Sequence, residues 1–251
     1  MQVGVVGVGT VGSAVADGFE ALGYEVKRYD PDKGYRDGFT ADVIFICVND
    51  TGDTENVTGA VRDWSPAADV IAIKTTVPPG TTDRLIEDYG NHIIYCPEFL
   101  CDKTARNDFL HPDKLIFGTS VLGNALDKLA KLHRDFTAPI RVRHPVEAEI
   151  LKLALNTFYA VKVTFANEVA DMCEKYGCQY GRVREGMELD RFIHANHLDV
   201  DHNGYRGFGG KCLPKDVRMF VDAAAKKGHR SYMAEDLQRA NAVRRGGDVA
   251  C

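Results

Sequence analysis

The sequence predicts an α/β chain: a doubly wound parallel sheet over residues 1–144, followed by a helical region over 145–251. Three observations predict it. Apolar runs at 2–6, 43–48, 70–74 and 93–96 have the length and composition of strands buried on both faces of a parallel sheet. Helical stretches alternate with these runs, the pattern of β-α-β units. From Pro145 the strand pattern gives way to apolar residues at helical spacing, which continue to about residue 176 before Gly177.

The composition sets the class. The 251 residues are 45% hydrophobic and 27% charged, ordinary for a globular protein with a full core. A formal net charge of -5 argues against an electrostatic nucleic-acid binder. No apolar run reaches membrane-spanning length, and residues 1–22 read as strand, turn and helix instead of a signal peptide. A cytoplasmic protein with neither nucleic acid nor membrane as partner is expected. The cysteines at 47, 96, 101, 173, 178, 212 and 251 contain no C-x-x-C pair, so neither a disulfide framework nor a zinc ribbon is suggested.

In order, the strand at 2–6 runs into Gly7-Val8-Gly9-Thr10-Val11-Gly12, then a helical stretch at 13–22 and a second strand at 25–29 that ends on Asp30. Strand, G-x-G-x-x-G turn, helix and strand-end acid at this spacing form a Rossmann-type dinucleotide signature. Gly7 serves the tight turn, Gly9 the approach of a pyrophosphate and Gly12 the close packing of helix on strand. Asp30 is placed to accept hydrogen bonds from ribose hydroxyls and to repel a 2′-phosphate, which predicts NAD over NADP.

A helix at 55–64 joins the next two strands. The run at 70–74 leads into Thr75-Thr76-Val77-Pro78-Pro79-Gly80-Thr81-Thr82, at a strand's carboxyl end, where open α/β sheets bind ligands. A threonine there can position water or substrate, and equally can cap local structure. The strand at 93–96 leads into Pro97-Glu98-Phe99-Leu100-Cys101-Asp102, whose acids suit acid/base work or simple solvation. Runs at 115–117 and 140–142, with a helix near 122–136, complete the sheet.

On the long helix Ile150, Leu151, Leu155, Phe158, Val161, Phe165 and Val169 mark a broad face expected to be buried. Lys152 and Asn156 stand four apart on one side of it, spaced to hold an oxyanion, although a lysine there can also reach solvent. Helical patterning weakens over 178–189. His194, His197 and His202 with Asp199 and Asp201 fit no zinc or metalloprotease template, so no metal is expected.

Gly207-Phe208-Gly209-Gly210-Lys211-Cys212-Leu213-Pro214-Lys215-Asp216 precedes helices expected at 215–227 and 232–245. Pro214 is a helix-opening residue, which sets Cys212 beside a helix N-terminus. The helix dipole and a neighbouring lysine favour a thiolate there, the setting of a nucleophile; a structural loop cysteine fits the same residues.

Taken together these stretches resemble the nucleotide-sugar dehydrogenases that oxidise UDP-glucose, UDP-ManNAc or GDP-mannose to the uronic acid. The resemblance runs through Gly7, Gly9, Gly12 and Asp30, the run from Lys74 to Thr81, Pro97 to Leu100, Asp108 to Asp113, Glu149 to Asn156, and most specifically Gly207 to Asp216. It implies that Gly7, Gly9, Thr10, Val11, Gly12, Asp30, Val48 and Thr76 contact NAD. It also implies that Cys212 is the nucleophile, Lys152 and Asn156 the oxyanion holders, and Asp216 the partner of a proton-accepting water. Thr76 and Glu98 would handle the water that hydrolyses a thioester.

The same resemblance implies a polysaccharide-precursor role and a homodimer built on the helical region. It places Cys101 and Asp102 where the family commonly has Arg-Glu, and Val48-Asn49-Asp50-Thr51 where it commonly has a Thr-Pro pair. The family continues past the equivalent of Cys251 into a nucleotide-binding lobe, so a separate chain supplying that lobe is a further expected partner. The competing expectation is a non-catalytic, NAD-binding, dimerising remnant. A β-hydroxyacid dehydrogenase, which needs a lysine but no cysteine nucleophile, accords less well with the cysteine motif.

Overall fold

Alternating side chains along each apolar run face opposite sides of a sheet, and in this chain both sides are buried. The computed structural model describes residues 1–202 and 204–246; Asn203 and residues 247–251, Cys251 among them, lie outside the described residues. The chain divides into two compact units, Met1–Lys152 and Leu153–Cys251.

In the first unit, β1 (Gln2–Val6), β2 (Glu25–Tyr29), β3 (Ala41–Ile46), β4 (Ala68–Ile73), β5 (Ile93–Tyr95), β6 (Leu115–Gly118) and β7 (Ile140–Arg143) form one sheet in the order β2-β1-β3-β4-β5-β6-β7. Pairing is parallel except between β5 and β6, which meet antiparallel at Tyr95 and Gly118. The parallel expectation is corrected at that one junction. On β3, Val43 and Phe45 enter one core while Ile44 and Ile46 enter the other.

The first core is closed by α1 (Thr10–Ala21), α4 (Ala105–Leu110) and α5 (Asn124–Leu132), through Phe19, Phe109 and Leu129. Phe19 stacks on Phe45 at 5.3 Å between ring centroids and meets Phe109 edge-on at 5.1 Å. Aromatic pairs of this kind add about 1 kcal/mol to what burial alone gives. The second core is closed by α2 (Glu55–Trp64) and α3 (Thr81–Tyr89), through Val57, Val61, Trp64 and Leu85. The chain passes from β2 across β1 to β3, so the switch in strand order falls between β1 and β3, where doubly wound sheets open a ligand crevice.

The division between units falls inside α6 (Pro145–Lys175). The second unit holds the rest of α6 with α7 (Tyr180–Glu188), α8 (Leu213–Lys226) and α9 (Tyr232–Arg244). Its core is Ala160, Val163, Phe208, Val217 and Leu237. Two expectations are corrected here. Residues 180–188 are helical although no residue of α7 is buried, so the helix carries little apolar pattern to read. The face of α6 expected inside is partly outside: Phe158 and Phe165 are 59% and 54% exposed, while the smaller Ala160, Ala166 and Ala170 are buried. Close helix packing selects the small side chains and leaves the large ones on the surface. No helix among the described residues is long and apolar enough to cross a membrane.

Candidate active site

The glycine turn sits at the switch point between β1 and β3. Gly7 adopts a left-handed φ of +86°, and a Cβ there would lie 2.7 Å from the Cys47 carbonyl oxygen. A Cβ on Gly12 would lie 1.8 Å from the Gly7 oxygen, so the helix packs against the turn at backbone distance. Gly9 differs: a Cβ there meets nothing within 4 Å. Packing within the chain does not require a glycine at this position, whereas a ligand approaching the backbone does.

Gly9 caps α1, whose first turn, with Thr10 and Val11, carries no acidic side chain and presents its unpaired N–H groups. Asp30 accepts the Val8 N–H at 2.7 Å through one carboxylate oxygen, tying the end of β2 to the turn. These features fit the diphosphate and ribose of a dinucleotide. Lys33, unnoticed in the sequence, donates to the Val8 carbonyl from the turn after β2 and places a positive charge beside the same loop.

Val48 follows β3, and its carbonyl accepts the Thr75 hydroxyl at 2.8 Å. Asp50, two residues on, is buried and accepts the N–H groups of Gly52 at 2.8 Å and Thr54 at 3.2 Å. Its carboxylate orders the entry to α2. Thr75 thus ties its loop to the end of β3, whereas Thr81 bonds locally to the Pro78 carbonyl at 2.6 Å, and Thr76 is buried beside them.

Glu149 holds this loop from α6. Its Oε2 accepts the Gly80 N–H at 2.6 Å, and its Oε1 accepts the Thr82 N–H at 2.8 Å and the Thr82 hydroxyl at 2.7 Å. Burial pushes the Glu149 carboxyl up to about 7, against the pull of those donors. Its spacing from Lys152 puts it on the same side of α6, but a partner 67 residues away leaves no local signal.

Glu98 and Lys152 meet. The ammonium donates to Glu98 Oε1 at 2.8 Å, with the two side chains 3% and 12% exposed for lysine and glutamate respectively. Glu98 Oε2 accepts the Leu100 N–H at 2.7 Å, and the Lys152 nitrogen stands 5.4 Å from the Phe99 ring centroid. The lysine is therefore held inside the protein and does not reach out to solvent. Cys101 and Asp102, one residue farther along, are exposed.

In the second unit Asn156 donates to Asp216 Oδ2 at 2.5 Å, both side chains being buried. Lys215 stands 2.8 Å from the other Asp216 oxygen. Cys212 is the N-cap of α8, and its carbonyl accepts the Asp216 N–H at 2.9 Å, closing the first helical turn. Pro214 occupies that turn, as the sequence suggested. Cys212 is exposed, whereas Cys96 is buried and Cys47 half-buried, and desolvation holds both of those thiols protonated, Cys47 up to about 12. The structure thus brings Glu98 together with Lys152, and Cys212 with Asp216 and Asn156.

The histidine-rich connector is occupied otherwise. His197 stacks on Tyr159 at 4.3 Å, and the His194 carbonyl accepts from Lys162 at 2.9 Å. Among the described residues no group of three or more His, Cys, Asp or Glu is arranged to hold a metal ion.

Residues 34–137 match the NAD binding domain of the UDP-glucose/GDP-mannose dehydrogenase family, and residues 146–243 match that family's central domain. The chain belongs to this family. It is 33% identical over 193 residues to a UDP-glucose 6-dehydrogenase of Rickettsia typhi, covering 72% of this chain and 42% of that one. A UDP-glucose 6-dehydrogenase of Bacillus subtilis is 31% identical over 232 residues, covering 85% and 52%. A solved UDP-glucose dehydrogenase from Pyrobaculum islandicum superposes with a TM-score of 0.82 at 26% identity, over 96% of this chain and 68% of that one. The chain spans about half the length of the curated relatives it matches. Within the family, the dinucleotide that fits the β1–β3 switch point is NAD.

Proposed function

We propose that this chain carries the NAD-dependent oxidation of a nucleotide sugar of the UDP-glucose type to its uronic acid, with Cys212 as nucleophile. The observation that carries the reading is the setting of Cys212: exposed, at the cap of α8, one turn from a buried Asp216 that Asn156 holds. The names of the relatives support the substrate class.

NAD bound at the glycine turn would supply the hydride acceptor, one molecule for each of the two oxidations. The residues of the chain supply the remainder. The Asp216 carboxylate holds the water that takes the alcohol proton as the first hydride departs. The Cys212 thiolate then adds to the aldehyde carbon, forming a C–S bond and a thiohemiacetal oxyanion. The Lys152 ammonium and Asn156 amide stabilise that charge. Loss of the second hydride converts the adduct to a thioester. Thr76 and Glu98 direct a water onto the thioester carbon; the C–S bond breaks, the thiolate is regenerated and the acid leaves.

Gly7, Gly9, Thr10, Val11, Gly12, Asp30, Val48 and Thr76 would hold NAD, with Asp30 excluding a 2′-phosphate. The exposed Phe158, Phe165 and Met172 recur every seven residues along one face of α6, which supports a second copy of this chain as its cover. The nucleotide end of the substrate would be gripped by residues beyond those described, in this polypeptide or in a partner chain.

The test is NADH production from a panel of sugar nucleotides, with the acid product identified. UDP-glucose or a close analogue should yield acid. A chain that binds NAD and oxidises none of the panel, alone or with a partner lobe, would favour the remnant reading.

A further inference from the structure

The segment that leads into Cys212 has no regular secondary structure, so something other than a backbone ladder must fix its course. Its buried anchor is Phe208, 2% exposed in the core of the second unit. The backbone of Phe208 is satisfied by one side chain. Asn241 of α9 accepts the Phe208 N–H at 2.8 Å and donates to the Phe208 carbonyl at 3.0 Å. A carboxamide used this way stands in for the peptide group of a neighbouring strand. It is itself buried, 8% exposed, so water offers little alternative.

The neighbouring residues are fitted to the same clamp. Gly207 has a left-handed φ of +83°, and a Cβ there would lie 2.5 Å from the Asn241 Oδ1. A Cβ on Gly209 would lie 2.9 Å from the Arg245 guanidinium, which itself lies 4.1 Å from the Tyr205 ring centroid. Upstream, Arg206 donates to the Asn167 side chain at 3.0 Å and the Asn167 carbonyl at 2.9 Å, and pairs with Asp171 at 2.7 Å. Arg206 therefore fixes the segment to α6 and Asn241 fixes it to α9, with Cys212 four residues beyond the second hold.

We propose that Asn241 is a positioning residue for Cys212: by pairing with both polar groups of the Phe208 backbone it sets the path from Gly207 to Cys212 and hence the place of the thiol at the cap of α8. The proposal deepens the reading of Cys212 as nucleophile and rests on it for its catalytic consequence. Because Cys212 is already exposed, loosening the segment adds little access; what it removes is the fixed placement over the helix N-terminus that favours the thiolate.

The experiment compares the unsubstituted chain with Asn241→Leu, which fills similar space but neither accepts nor donates. Alkylation by iodoacetamide is followed cysteine by cysteine, alongside kcat, KM and NAD affinity. Cys212 should label at least about fivefold more slowly, since both hydrogen bonds to the Phe208 backbone are lost. Exposed Cys101 should keep its rate, buried Cys96 and Cys173 should stay unlabelled, kcat should fall, and NAD affinity should hold. Cys212 labelling at the unsubstituted rate in a folded variant would overturn the proposal, as would parallel labelling of Cys96 and Cys173, which reports general loosening.

Gly207→Ala perturbs the clamp from its other side and serves if Asn241→Leu does not fold. It should slow Cys212 in the same selective way, and an unchanged rate there also counts against the proposal. Acid formation by a Cys212→Ser variant would overturn the catalytic reading while leaving the labelling result to stand by itself.

Discussion

Asn156 and Asp216, sixty residues apart in sequence, meet through a 2.5 Å hydrogen bond inside the second unit. The pair orients a carboxylate one helical turn from Cys212. Asp216→Asn should keep the shape and remove the charge that holds a proton-accepting water. The expected result is a loss of roughly a hundredfold or more in kcat with NAD affinity unchanged, measured by steady-state kinetics and calorimetry.

The Lys152–Glu98 pair makes a prediction about stability. Its side chains are 3% and 12% exposed, so removing the ammonium strands an enclosed carboxylate. Lys152→Met should cost about 3 kcal/mol in denaturant unfolding. Adding Glu98→Leu should recover much of that loss, because the double variant leaves no buried charge unpaired. Both variants should lose acid formation, which separates stability from catalysis.

Glu149 gives the fold a pH dependence. Its carboxyl is raised from 4.5 to about 7, first by burial and with Asp83 acting in the same direction. A carboxyl that stays protonated in the folded chain but ionises at lower pH in the unfolded chain contributes stability below pH 4.5. That contribution is lost as pH rises through 7. Relative to Glu149→Gln, the unsubstituted chain should lose up to about 3 kcal/mol of unfolding free energy across that window. Parallel pH profiles for the two chains would remove Glu149 as the cause.

The apolar face of α6 predicts self-association. Replacing both Phe158 and Phe165 by glutamate should leave the folded chain intact, since both are more than half exposed. Light scattering should show a dimer for the unsubstituted chain and a monomer for the variant. A monomer in both cases would leave that face without a second copy.

Much of the sheet was legible because strand, glycine turn and strand-end acid are local patterns, and β1, α1 and β2 follow from them directly. The Cys212 setting was legible for the same reason, Pro214 opening α8 as its fixed φ requires. What escaped was either non-local or without periodicity. Glu149 acts on Thr82 across 67 residues, and Asn241 on Phe208 across 33. α7 buries no residue and so leaves no apolar stripe. On α6 the spacing was read correctly as helical but its faces were reversed in part, because alanines pack closely and phenylalanines do not have to be inside.

The most direct test of the account is the stoichiometry of NADH per UDP-glucose consumed, for the unsubstituted chain and for Cys212→Ser, with any partner lobe present in both. Two NADH and one uronic acid per substrate are expected for the unsubstituted chain, and no acid from Cys212→Ser despite intact NAD binding. Two NADH and full acid yield from Cys212→Ser would contradict it.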